Sequence, residues 1–122
     1  MIYGIGNDII EIDRISKAVF RTKNFLAKLF TEREIEYFKL KNMKAETIAG
    51  NFASKEAISK ALGTGVKGFS LLEIEILRDD NGKPIVNLSE NILKKFNLEN
   101  AVVHVTISHN KTSAIAFAVI ER

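Results

Sequence analysis

Alanine returns at every fourth position through Ala49, Ala53, Ala57 and Ala61, the period of one helix face. A ridge of such small side chains predicts a helix over residues 49–63 that lies close against a sheet or a second helix. Phe52, Glu56, Ser59, Lys60 and Gly63 follow i, i+4, i+7, i+8 and i+11 spacing, so an adjoining stripe sets a carboxylate and an ammonium beside the packing edge. Gly63 reads as a left-handed C-cap. Upstream, residues 2–12 alternate with the period of a strand: Ile5 and Ile9 share one face, and Gly4, Gly6 and Asp8 share the other. Two missing side chains predict open space beside the Asp8 carboxylate. The same glycines equally fit a bulge or a close helix contact, with Asp8 only ending the strand.

Asp13 reads as an N-cap opening a short helix on which Arg14, Lys17 and Arg21, at i, i+3 and i+7, form a basic stripe. Such a stripe is either a solvated face or a docking surface for an acidic helix. Thr31-Glu-Arg-Glu34 matches a capping box and predicts a helix to about Asn42, with Ile35, Phe38 and Leu40 facing inward. Gly63-Thr-Gly-Val-Lys-Gly68 spells the dinucleotide-binding glycine pattern, yet it closes a helix rather than opening one. It therefore lacks the helix N-terminus that such phosphate sites need, and reads as a turn. Leu71 to Leu77 alternates as a strand, Asp79-Asp-Asn-Gly-Lys-Pro84 is a turn signal, and residues 85–88 return, giving a hairpin. Ser89 caps a helix to about Phe96, with Lys94 and Lys95 in its last turn. Residues 101–108 and 113–120 form a second hairpin with His109 at its turn, and His104 shares a face with Thr106 and Ser108. Helices and hairpins in this order imply an α+β fold, expected as one domain over residues 1–122.

Composition narrows the function without naming it. A hydrophobic fraction of 46% with 27% charged residues suits a globular chain of 122 residues. The net charge of +3 does not demand nucleic acid; it suits an acidic partner or a phosphorylated substrate. Absence of cysteine excludes disulfides, thiol nucleophiles and thiolate metal sites. The first residues lack the basic and apolar regions of a signal peptide, and no apolar run reaches membrane-spanning length, so a cytoplasmic protein is expected. Taken alone, Glu56 and Lys60 read first as a surface i, i+4 pair.

Four segments in this order closely resemble the holo-[acyl-carrier-protein] synthases, the short bacterial phosphopantetheinyl transferases. They are Gly4-Ile-Gly-Asn-Asp-Ile-Ile-Glu-Ile-Asp-Arg-Ile15, Phe52-Ala-Ser-Lys-Glu-Ala-Ile-Ser-Lys-Ala-Leu-Gly-Thr-Gly65, Asn81-Gly-Lys-Pro84 and Val105-Thr-Ile-Ser-His109. The resemblance implies a mainly antiparallel sheet packed against a long central helix. It also implies an enzyme that uses Mg²⁺ and coenzyme A to place phosphopantetheine on a serine of apo acyl carrier protein, releasing adenosine 3',5'-bisphosphate. On this resemblance Asp8 and Glu56 hold the metal, hard oxygen ligands being suited to Mg²⁺, with water beside them passing on the serine proton. Lys60 neutralises phosphate charge and helps the leaving group. His109 contacts a coenzyme phosphate, Lys83 and Pro84 lie near the adenine nucleotide, and Gly63 and Gly65 admit the ligand.

The family docks its acidic carrier on the first helix, which makes Arg14, Lys17 and Arg21 the partner-binding residues. It also forms trimers with sites at subunit interfaces, Asp8 coming from one subunit and Glu56 from its neighbour. Many relatives have arginine just before the motif phenylalanine; Asn51 has neither that charge nor its fork, leaving Lys44 or Lys55 to stand in at the phosphate. The alternative is a non-catalytic module docking an acidic protein or RNA through the basic first helix.

Overall fold

Two glycines let a helix lie directly on a strand. A Cβ on Gly4 would collide with the carbonyl oxygen of Ala61, and one on Gly6 with that of Ala57. The computed structural model describes residues 1–122 and contains two antiparallel sheets. In the first, β1 (Ile2–Glu11) and β4 (Val102–His109) flank β5 (Ser113–Glu121), in the order β1-β5-β4. The helix α4 (Ala45–Leu62) crosses one face of this sheet. Its alanine ridge is buried as expected, Ala49, Ala53, Ala57 and Ala61 being at most 3% exposed. Ala114, Ala116 and Ala118 of β5 supply an equally small facing surface. The space expected beside the glycines is therefore filled by the helix backbone, and the close-contact reading is the one realised.

The second sheet is the hairpin of β2 (Ile74–Arg78) and β3 (Pro84–Leu88), which turns at Gly82 with φ +83°. Leu71 to Glu73 form a 3₁₀ turn instead of the start of a strand, because the Glu73 carboxylate accepts from the Ser70 N–H at 2.8 Å and coils the chain there. Around these sheets lie α1 (Ile12–Arg21), α2 (Phe25–Leu29), α3 (Glu32–Leu40) and α5 (Glu90–Lys95). Thr31 and Glu34 close the expected capping box, and Ser89 Oγ accepts from the Ile92 N–H at 3.2 Å.

The start of α1 differs from expectation. Its N-cap is Glu11, since the Ile12 N–H is taken by the Thr112 carbonyl across the sheet at 2.9 Å; Asp13 sits in the first turn and pairs with Lys17 at 3.0 Å. Leu40 does not face inward: it ends α3 and is 80% exposed, the chain turning back through left-handed Asn42 and Met43.

Two apolar clusters hold the layers. Ile58, Leu62, Ile74, Ile76, Ile92 and Leu98 join α4 to the hairpin and α5. Ile12, Ile15, Phe30, Phe38 and Ile48 join α4 to the first three helices. The sheet face turned away from α4 carries Ile5, Ile9, Ile115 and Phe117, exposed by 61, 67, 44 and 42%.

Candidate active site

Asp8 follows Gly6 by one strand period, so it leaves β1 on the face that α4 covers. The helix backbone touches Gly6 at Ala57, which brings the flanking Glu56 and Lys60 to the same edge. Lys60 Nζ lies 3.4 Å from Asp8 Oδ1 and pairs with that carboxylate, not with Glu56. The Glu56 carboxyl is pushed above its ordinary range, first by burial and then by the Asp8 charge, with Lys60 opposing both. Two carboxylates and one ammonium thus meet within a single chain. The expectation that Asp8 and Glu56 come from different subunits is corrected by this contact.

The donor set fits Mg²⁺. Both carboxylates are hard oxygen donors on regular elements, and Mg²⁺ ordinarily takes one or two protein carboxylates and fills its octahedron with phosphate oxygens and water. No group of three or more His, Cys, Asp or Glu side chains converges anywhere in the chain, so an all-protein metal cage is not what this site offers.

The other expected residues do not all converge on this pair. Gly63 and Gly65 have φ of +92° and +66° and nothing within 4 Å of the place a Cβ would occupy, which leaves the end of α4 beyond Lys60 open to a ligand. Lys83 and Pro84 line a cavity of about 440 Å³ between β3 and β4, beside Asp79 and His104. His109 stands in the strand row of Ile10 and Ala114, while Asp8 belongs to the row of Ala116 and Ile107. Two strand spacings, roughly 9.6 Å, separate His109 from β1; its chain does not bring it to the carboxylates. Arg14, Lys17 and Arg21 are exposed on α1, and Phe20 beside them is 92% exposed. Ser59 does not belong to the open stripe: it is buried, with Oγ donating to the Lys55 carbonyl at 2.9 Å.

A family model for the 4'-phosphopantetheinyl transferase superfamily matches residues 4–119. The chain belongs to that superfamily. Among such transferases, the holo-[acyl-carrier-protein] synthase of Clostridium botulinum (strain Alaska E43 / Type E3) is 60% identical over 121 residues, covering 99% of this chain and 98% of the relative. The crystal structure of the Helicobacter pylori holo-[acyl-carrier-protein] synthase in complex with coenzyme A matches with a TM-score of 0.86 at 39% identity, over 96% of this chain and 99% of that one. The Bacillus anthracis synthase, solved in complex with "CoA (3',5'-ADP)", matches at 0.83 and 42% identity, over 99% and 97%. The α+β fold, with its antiparallel sheet against a long helix, is the fold of these transferases.

Within this phosphopantetheinyl transferase, one buried group went unforeseen. Glu34 and Lys55 are both fully buried and meet at 2.7 Å. Asn51, also fully buried, donates to Glu34 Oε2 at 3.2 Å and to the Ile76 carbonyl at 3.0 Å. Its Oδ1 accepts from Arg78 Nη2 at 2.8 Å. Asn51 and Lys55 therefore face the core, and neither reaches a phosphate; Arg78 supplies the positive charge beside Asn51. The available signal was positional: Lys55 lies four residues from Asn51 and three from Ile58, on an arc of α4 that is buried throughout. Burial draws the Lys55 ammonium below its usual range, and the Glu34 carboxylate opposes that shift.

Proposed function

We infer that this transferase moves phosphopantetheine from coenzyme A to a serine hydroxyl of apo acyl carrier protein, with Mg²⁺ held by Asp8 and Glu56. The observation that carries the reading is the meeting of these two acids and Lys60 at one edge of α4. In the reaction the serine Oγ bonds to the phosphorus that bears pantetheine, and the pyrophosphate P–O bond breaks to release adenosine 3',5'-bisphosphate. When bound, Mg²⁺ neutralises charge on the pyrophosphate as it shifts to the leaving group.

The remaining work belongs to the side chains. Asp8 and Glu56 are placed so that water beside them would receive the serine proton. Lys60 is 55% exposed and turns its ammonium from Asp8 toward an incoming phosphate, stabilising the leaving bisphosphate. Gly63 and Gly65 admit the coenzyme at the end of α4, Lys83 and Pro84 take its adenine end, and His109 takes a phosphate. Arg14, Lys17 and Arg21 steer the acidic carrier, acting on encounter and orientation more than on affinity.

His109 and the exposed Ile9 line a second cavity, of about 260 Å³, at the outer end of the sheet. Together with the apolar outer face this supports a homotrimer in which a neighbour's face completes each site. The setting is cytoplasmic lipid synthesis; no helix is long and apolar enough to cross a membrane. Incubation with apo carrier, coenzyme A and Mg²⁺ yields a carrier heavier by one phosphopantetheine in mass spectrometry. Absence of that adduct, with Mg²⁺-independent or no coenzyme A binding in calorimetry, returns the chain to the docking-module alternative.

A further inference from the structure

Lys55 and Glu56 are neighbours in sequence and point about 100° apart around α4. One enters the core and the other faces Asp8. Twelve of the 18 residues of α4 are buried, so the helix has no broad polar face to fix its rotation. The alanine ridge does not fix its axial position either. Because alanine recurs every fourth residue, a slide of about one turn, roughly 5.4 Å, returns alanine to nearly the same contacts on the sheet. The glycine contacts set how closely helix and strand approach, and with the alanines alone they do not fix the register; Ile48, Ile58 and Leu62 bias it by shape. Such a slide would put Phe52 or Lys60 where Glu56 stands.

The polar contacts of Lys55 remove that degeneracy. All three of its ammonium donors are used: toward Glu34 Oε1 at 2.7 Å, the Leu71 carbonyl at 2.9 Å and the Ile74 carbonyl at 2.6 Å. The Phe30 ring centroid lies 5.0 Å from the same nitrogen. Glu34 is saturated in turn, accepting also from the Thr31 N–H at 3.0 Å, Asn51 Nδ2 at 3.2 Å and the Ile76 N–H at 3.2 Å. No buried side-chain polar atom in the molecule lacks a partner. A shifted or rotated α4 would strand two buried charges, a cost that the repeating alanine contacts cannot offset. A buried ion pair adds little stability over an apolar pair of equal volume, so its physical role here is to select one arrangement. The tripod also ties the far end of the glycine loop, at Leu71, to the helical turn that carries Glu56.

We propose that the Lys55–Glu34 pair is a register lock for α4, making both residues positioning residues that hold Glu56 against Asp8 and thereby tune Mg²⁺ binding. This rests on Asp8 and Glu56 being the metal ligands. The test is the double variant Lys55→Met/Glu34→Gln, which removes both charges together and keeps the core volume. It folds, with a melting temperature within a few degrees of the parent. Its Mg²⁺ half-saturation constant in the transfer assay rises on the order of 10-fold or more, the scale seen when outer-shell partners of metal ligands are removed. The KM for acyl carrier protein, read at saturating Mg²⁺, does not change. A metal-free crystal structure shows the Glu56 carboxyl displaced from Asp8. Glu56 unmoved, or an unchanged Mg²⁺ requirement in a folded variant, overturns the lock; so does failure to fold, which would make the pair a stability element. If the parent enzyme proves indifferent to Mg²⁺, the metal reading fails separately, and the position of Glu56 in the variant still decides the lock.

Discussion

At the scale of single residues, Glu56 is where function and stability oppose each other. Its carboxyl titrates above the ordinary range in the folded chain because burial and Asp8 both disfavour its charge. A raised carboxyl pKa gives stability that is present below the unfolded value, about 4.3, and is lost as pH rises through the folded value. At neutral pH the ionised side chain therefore weakens the metal-free fold. Glu56→Gln raises the melting temperature of the metal-free protein at pH 7 by a few degrees, and the gain closes as pH falls below about 4. The same variant loses turnover by on the order of 100-fold or more. Thermal scans in chelator across pH, paired with the transfer assay, check both; a Glu56→Gln protein less stable than its parent at pH 7 would contradict the repulsion. That Asp8, Glu56 and Lys60 lie together was legible from the family motifs; spacing alone favoured a surface pair for Glu56 and Lys60 and left Asp8 open as a strand end. Which partner Lys60 takes was not legible. The i, i+4 rule favours Glu56, yet Lys60 pairs with Asp8, a contact that exists only once strand and helix meet.

Among the elements, the contact of β1 with α4 determines the site, and its tolerance is testable. A methyl group at Gly6 meets the Ala57 carbonyl oxygen, a rigid backbone atom, and also comes within 2.8 Å of the Ala61 nitrogen. Gly6→Ala should cost roughly 1–3 kcal/mol or more, as overpacking does, and should move Asp8 relative to Glu56. Gly63→Ala meets no atom within 4 Å and suffers only from its φ of +92°, a cost of about 1 kcal/mol. Urea unfolding of the two variants separates them; equal, small losses would mean that the strand glycines do not set the approach. Hairpins, caps and the alanine ridge were readable because each has a local cause. The Thr31 box and the Ser89 cap are made within four residues, and the turn at Gly82 is closed within five, Asp79 Oδ1 accepting from the Asn81 and Lys83 N–H groups. What escaped was non-local. The start of α1 is set by the Thr112 carbonyl across the sheet, and the burial of Asn51 and Lys55 by Glu34 on another helix.

For the whole molecule, one sheet face is exposed and apolar. Alternation along β1 correctly placed Ile5 and Ile9 together, but the helix covers the opposite, glycine-bearing side and leaves the isoleucines outward beside Ile115 and Phe117. A sheet that turns its large apolar side chains to solvent and its alanines to the core has an inside-out pattern, the one that the proposed homotrimer would cover. Phe117→Asp, in the middle of β5, puts a charge into the centre of that face without touching α4. On the proposed homotrimer, light scattering should show the mass falling from about three times 13.7 kDa to a single chain. The two halves of the proposed site then separate. Asp8 and Glu56 belong to one chain, so Mg²⁺ binding survives dissociation. His109 is roughly two strand spacings from β1 in its own chain, so coenzyme A affinity and turnover fall if a neighbour supplies that contact. A monomeric Phe117→Asp protein with full turnover would show that each chain works alone and that the outer face serves assembly only. A variant that stays trimeric would move the subunit contact elsewhere on the molecule.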